Sequence, residues 1–492
     1  MALTFYTPSI SSYFTFSPVF NVDKLDKWHT DTAFNISLIQ SILNWGYPSV
    51  SLDGHPLTAY HVFSHYIDAF LYFVSKLPVY ESYGFVSLVK VTFFINAIYL
   101  SFSSFRLKGW HFLFVFLVCS ALIIASWHII LSHALWAPSF LLILVAPNVS
   151  KFLFSNNVGE GKDFLVFFLC FILLCLGKIS LGLAFALFVF SIRIFNDFKN
   201  KWYYIVGFSC FIFFIGYSSF INYSYGDKQV VNFILDFNLF SGMKYVTVFF
   251  SFLLVLMLIN YFCSYNLNKV VFSFIFSYFS LLLLTMFVKS LSWSDRHYFY
   301  HGIYTVSIIF VIFFVYGKLI FDAKKIVMVT TCFSLISFFV YQPVYSISQI
   351  SLGNILNQFY YLKNDKVKEL GLYLEGSAYT LNKYIDDLLK SNNYSRGRLA
   401  LFLPKDILEK QVIKSKGKKN FYTMNLYAIT GVQLVKGVVG LQRAYGFANY
   451  NSSSFVTNDL DYLYECKRLN LQAIIKVVDY EKKIYNLIHC TI

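Results

Sequence analysis

From residue 83 to about 343 the chain repeats one pattern: long apolar runs separated by short segments carrying Lys, Arg, Asn or Asp. The runs fall at 83–104, 110–131, 133–147, 163–178, 181–196, 202–221, 244–264, 268–288, 302–321 and 326–343. At a rise of 1.5 Å per residue, a run of about 20 covers the ~30 Å hydrocarbon core of a bilayer. The pattern predicts a mostly α protein, a polytopic transmembrane helical bundle of about 10–12 spans. The runs at 133–147 and 163–178 are short and would need tilt, re-entry or a thin bilayer.

The flanks read differently. In residues 31–44, Phe34, Leu38, Ile39 and Ile42 recur at helical spacing, with Asn35, Gln40 and Asn44 elsewhere. That predicts an amphipathic helix lying on a membrane surface. Gly46, Pro48, Gly54 and Pro56 then mark a loop before a second helix over 57–77. Beyond 345, GSAYTLNKYIDDLLKSN predicts a helix, RLALFLP a buried strand ending at Pro404, and QAIIKVVDYEKKIYNLI two strands around a polar turn. The expected organisation is an N-terminal segment 1–82, a transmembrane domain 83–344, and a C-terminal α/β or α+β domain 345–492.

Composition supports the membrane reading. Of 492 residues 57% are hydrophobic and 13% charged, about half the ~25% charged of a globular chain. The net charge of +15 would suit nucleic acid, but in a membrane protein Lys and Arg gather in cytoplasmic loops, and no nucleic acid is expected. Arg106, Lys108, Arg193, Lys199, Lys201, Lys269, Lys318, Lys324 and Lys325 would mark that side. The alternation then predicts a multi-pass inner-membrane protein whose 289–301 loop and C-terminal domain are extracytoplasmic. The first twenty residues lack a basic start and are broken by Pro8 and Pro18, unlike a signal peptide.

Six of eight cysteines lie in apolar runs, whereas Cys466 and Cys490 sit together in the C-terminal region. They suggest a disulfide if that region faces an oxidising compartment. Neither a CxxC pair nor a GxGxxG or GxxxxGK[ST] loop occurs, which argues against a zinc ribbon and a nucleotide site.

The candidate chemistry begins in Trp28–Asp68, which holds His29, His55, His61 and His65 with Asp31, Asp53 and Asp68. Asp31, in WHTDTAFN, is the candidate catalytic base, since proton removal from a hydroxyl needs a positioned carboxylate; a helix N-cap is its structural alternative. His61, His65 and Asp68 follow HxxxHxxD and share a helical face. They suit a cavity wall, a lipid phosphate through protonated imidazole, or a divalent metal, and no cofactor beyond such a metal is implied. Lys178 lies between two apolar runs and either snorkels or pairs with a phosphate, and Lys90 is deeper in its run. The loop SWSDRHYFYHGIY concentrates Asp295, Arg296, His297, Tyr298, Tyr300 and His301. Its guanidinium could grip phosphate and its rings a sugar or prenyl chain, or it is an interfacial aromatic belt. Arg443 is a further cation among the C-terminal glycines.

The helical array, the acidic first outer loop around Asp31 and the C-terminal domain together resemble the GT-C superfamily of membrane glycosyltransferases. The resemblance covers layout and one short loop; a paired DD or DE motif and a clear span before the loop are missing. It implies sugar transfer from a polyprenyl-phosphate-linked donor to a cell-envelope glycan or lipid at the outer face of the inner membrane. Asp31 would be the base, and His29, His61, His65, Lys178, Asp295, Arg296 and His297 would contact substrate or donor phosphate. The implied partners are that donor, the acceptor and membrane lipids. The competing readings are a polysaccharide polymerase or ligase using Arg296 and His297, and a transporter or flippase with Lys90 and Lys178 on its path.

Overall fold

The computed structural model describes residues 30–49, 62–103, 135–154, 161–196, 201–224, 376–407, 422–436, 457–480 and 482–490, with isolated positions between 109 and 280. The expected runs at 110–131, 244–264, 268–288, 302–321 and 326–343 lie wholly or mostly outside these residues, as does the N-terminal segment before Thr30. The helices are α1 (Thr30–Trp45), α2 (Phe63–Ser75), α3 (Val79–Ser103), α4 (Trp136–Phe154), α5 (Gly161–Gly177), α6 (Ile179–Asn196), α7 (Lys201–Ser224) and α8 (Gly376–Asn392). After a 3-10 turn at Arg396–Arg398 come β1 (Leu399–Phe402), α9 (Tyr422–Thr430), β2 (Gln433–Leu434), α10 (Tyr462–Arg468), β3 (Ala473–Asp479) and β4 (Ile484–His489).

Helices occupy the expected runs at 83–104, 133–147, 163–178, 181–196 and 202–221, but the crossing they were expected to make is overturned. Among the described residues no helix is long and apolar enough to cross a membrane. The reason lies in how length and polarity combine. The two longest helices, α3 with 25 residues and α7 with 24, carry Glu81, Lys90 and Asn96, or Lys201, Asn222 and scattered Tyr and Ser. The most apolar, α5, has 17 residues, roughly 26 Å at the helical rise. Within α4 stand Pro147 and Lys151, and α6 ends on Arg193 and Asn196. The polytopic bundle and the multi-pass inner-membrane placement with an extracytoplasmic C-terminal domain are therefore corrected: the described chain is α-rich with one small mixed sheet.

The chain forms two compact units, one of residues 1–9, 89–223 and 227–350, the other of 10–88, 224–226 and 351–492. In the first, α5 and α6 form a tight hairpin around Lys178, whose N–H donates to Leu174 O at 2.7 Å and whose carbonyl accepts from Leu181 at 2.9 Å. Gly182 lets the two helices meet, because a Cβ there would stand 2.3 Å from Cys175 Sγ. Phe167 stacks on Phe185 across the pair, with centroids 5.1 Å apart.

The second unit is built around a sheet of order β2-β1-β3-β4. The first three strands are parallel, and β4 returns antiparallel to β3. All four residues of β1 are buried, as expected of a parallel strand covered on both faces. Successive side chains point to opposite faces. Leu399 and Leu401 join Leu434, Ala473, Ile475 and Val477 on one side, with Leu381 and Ile385 of α8 and Leu426 of α9. Ala400 and Phe402 join Val435, Ile474, Leu471 and Cys466 on the other.

The first face is completed by α1. Phe34 and Leu38 belong to the core that holds β1 and β3, while Ile36, Ile39 and Ile42 pack with Ala69, Tyr72, Tyr83 and Ala428. Every residue from Phe34 to Ile42 is buried, so this helix lies inside the unit and not on a surface. Two of the polar residues set apart from its apolar face, Gln40 and Asn44, together with Trp45, satisfy C-terminal backbone instead. Gln40 Nε2 donates to Ala428 O at 3.0 Å, Asn44 Nδ2 to Gly431 O at 3.0 Å, and Trp45 Nε1 to Gly397 O at 2.9 Å.

Gly431 is where this docking is tightest. It ends α9 at φ +65°, donating to Tyr427 O at 2.7 Å, and a Cβ would meet Arg396 Cδ and Gln40 Oε1 at 2.9 Å each. Gly431→Ala is expected to destabilise the protein by about 2 kcal/mol, from left-handed strain and crowding. Urea unfolding followed by the far-ultraviolet signal would read the loss.

Candidate functional site

The densest buried polar group of the second unit lies between α1 and α2. Asn35, Ser64, His65 and Asp68 are each at most 2% exposed, which is unusual for side chains that favour water. His65 Nε2 is 2.5 Å from Asn35 Oδ1. An amide oxygen can only accept, so Nε2 carries a proton and donates it to Asn35. Asp68 stands three residues after His65, and Tyr72 four after Asp68, so all three follow one side of α2. Burial and then the charge of Asp68 push the Tyr72 hydroxyl well above its usual range, with Ser82 acting in the opposite sense. The tyrosine is thus neutral.

Asp31 is the second residue of α1, one helical turn before Asn35. The same helix therefore carries the candidate base and the partner of His65. His29 and His61 lie outside the described residues, as do His55, Asp53, Asp295, Arg296, His297, Tyr298, Tyr300, His301 and Arg443. Among the described residues no group of three His, Cys, Asp or Glu is placed to hold a metal ion.

Lys178 lies in the first unit, as the single residue joining α5 to α6, and it is 2% exposed. Lys90, equally buried, places its Nζ 5.0 Å from the Trp136 ring centroid. Asn35 as the imidazole's partner and Trp136 beside Lys90 both escaped the sequence reading. Asn35 carried a weak signal, an amide between Phe34 and Ile36, while Trp136 carried none.

A further charged cluster sits on the opposite face of the sheet. Glu465 of α10 is buried and accepts from Arg468 Nε at 2.7 Å, and Lys436 Nζ stands 3.4 Å away. It braces the loop after β2 against α10, beside the disulfide that links Cys466 to Cys490 with Cα atoms 5.6 Å apart. The order of the parallel strands reverses between β1 and β3, the place where open α/β sheets commonly bind ligands. Here the exit of β1 is tied to the entry of α10. Lys405 N donates to Thr457 O at 3.0 Å, and Asp406 and Asn458 exchange hydrogen bonds of 3.2 and 3.3 Å. No family model, no curated protein and no solved structure matches this chain.

Proposed function

We propose that the protein transfers a sugar from a polyprenyl-phosphate-linked donor to a glycan or lipid acceptor, with Asp31 as general base. The observation that supports this reading is the placement of Asp31 on the first turn of α1, one turn before Asn35, whose side chain meets the buried His65. In the reaction, the acceptor oxygen forms a bond to the anomeric carbon as its proton passes to the Asp31 carboxylate. The bond from that carbon to the phosphate oxygen breaks, and the polyprenyl phosphate leaves with the electron pair. A helix whose lower turns are fixed on three sides holds its first turn still, and such a base depends on position as much as on basicity.

Asp31→Asn tests the assignment cleanly, because asparagine serves at a helix start about as well as aspartate. Cells carrying the variant at equal expression are expected to lose one hexose or pentose mass from their glycans or glycolipids. The transfer rate of purified protein should fall roughly 100-fold or more. An unchanged mass spectrum with Asp31→Asn would remove Asp31 from the chemistry.

A further inference from the structure

Helix α2 has its polarity reversed. Ser64, His65 and Asp68 are buried in the second unit, together with Ala69 and Tyr72. Tyr66, Phe70, Phe73 and Val74 recur at i, i+4, i+7 and i+8 on the opposite side, and they are between 42% and 62% exposed. A helix that faces water turns its polar residues outward and its apolar ones in. Exposed apolar side chains are ordinary when scattered, but a contiguous stripe marks a surface that meets another apolar body.

The stripe is too small for a stable pairing of two copies. A specific interface takes about 800 Å² and 20–30 residues from each partner, whereas this face offers these side chains and Leu77 just beyond the helix end. Entry into a lipid interface has no such threshold, because affinity grows with each apolar side chain buried. At the C-terminal end of the stripe, the exposed Lys76 holds its Nζ 4.1 Å from the Phe73 ring centroid. An ammonium at the rim of an apolar face can reach headgroup phosphates while the rings sink beside it. The net charge of +15 also draws the protein towards an anionic surface.

We propose that the outer face of α2 docks the protein on a lipid surface bearing anionic headgroups, with the helix axis in the plane of that surface. The 13 residues of the helix rise about 20 Å, less than the ~30 Å hydrocarbon core, so α2 lies along the membrane and does not cross it. Phe70, Phe73 and Val74 enter the boundary between headgroups and chains, Lys76 meets phosphate, and His65 and Asp68 stay inside the unit. This docking draws on neither Asp31 nor sugar transfer and stands without them.

Co-sedimentation of the purified full-length protein with vesicles of phosphatidylcholine, alone or mixed with phosphatidylglycerol, tests the proposal. The unaltered protein is expected to bind both and to prefer the mixed vesicles. Joint replacement Phe70→Ser and Phe73→Ser should weaken binding to both at least about tenfold, the scale of two apolar side chains kept out of the interface. The melting temperature should hold, since both rings already face outward. If that double variant fails to fold, Val74→Ser is read in its place, with a smaller loss in the same direction. Lys76→Gln should weaken binding to the mixed vesicles about fivefold and leave the neutral ones unchanged. Binding to neither vesicle, or one affinity shared by the unaltered protein and its stripe variant, overturns the proposal. So does a lipid-free dimer of the unaltered protein that the stripe variant dissociates, which would give the face to a second copy.

Discussion

Leu38→Ala is expected to destabilise the second unit by about 3–5 kcal/mol, the range for emptying a fully buried leucine site that cannot collapse. Leu38 is 0% exposed and shares its core with Leu399, Leu401, Ile475 and Val477, so the void would open against the central strands. Against a typical domain stability of about 5–15 kcal/mol, such a loss is large, and chemical denaturation would show it as a lowered midpoint with an unchanged slope. A stronger form of the same argument concerns the C-terminal segment alone. Without α1, the core that α8 and α9 share with the sheet would lose Phe34 and Leu38, and the backbone carbonyls of Ala428, Gly431 and Gly397 would lose the partners that Gln40, Asn44 and Trp45 supply. A fragment of residues 370–492 should therefore give the collapsed amide spectrum of an unfolded chain. A peptide of residues 28–50 added in trans should restore dispersion. A well-dispersed spectrum from the fragment alone would show that α1 is an accessory to the sheet and no part of its core.

Replacing Cys466 and Cys490 together by alanine is the second large effect. The bond closes a stretch with a sequence separation of 24. Loop-closure entropy puts its stabilisation at roughly 3 kcal/mol, exerted on the unfolded chain. It fastens α10, a helix of seven residues too short to persist alone, to the strand end where Cys490 N donates to Gln472 O at 3.0 Å. The double variant should melt several degrees lower than the unaltered protein, and a reducing agent should lower the unaltered protein to the same temperature while leaving the variant unmoved.

Local patterns were legible in the sequence. GSAYTLNKYIDDLLKSN is α8, LALF is β1, and the strands of AIIKVVD and IYNLIH pair in antiparallel register. These elements are specified by periodicity over a few residues. What could not be seen was the partner of α1. Asn35, Gln40 and Asn44 on an otherwise apolar helix look the same whether they face water or reach a distant backbone carbonyl, and Gln40 finds its carbonyl 388 residues away. The membrane reading failed for a related reason. An average of 57% hydrophobic residues ignores where the polar ones fall, and in α3 and α7 they interrupt the helices that had the length to cross. For the site, the HxxxHxxD spacing correctly put His65 and Asp68 on one helical side. It was silent on Asn35, which reaches His65 from another helix.

The docking of α1 against β1 also sets a schedule. The helix ends at Trp45 and the strand begins at Leu399, 354 positions later. At about 5–20 residues per second of synthesis, the ribosome needs roughly 20–70 s to deliver the strand after finishing the helix. Throughout that interval Phe34 and Leu38 lack the strand core that they enter. The nascent chain must therefore carry a sticky first helix past the emergence of everything in between, and this unit closes only after β1 and the strands that follow it have been made. A stalled or truncated message would leave that helix permanently unsheltered, an aggregation hazard that the finished protein conceals.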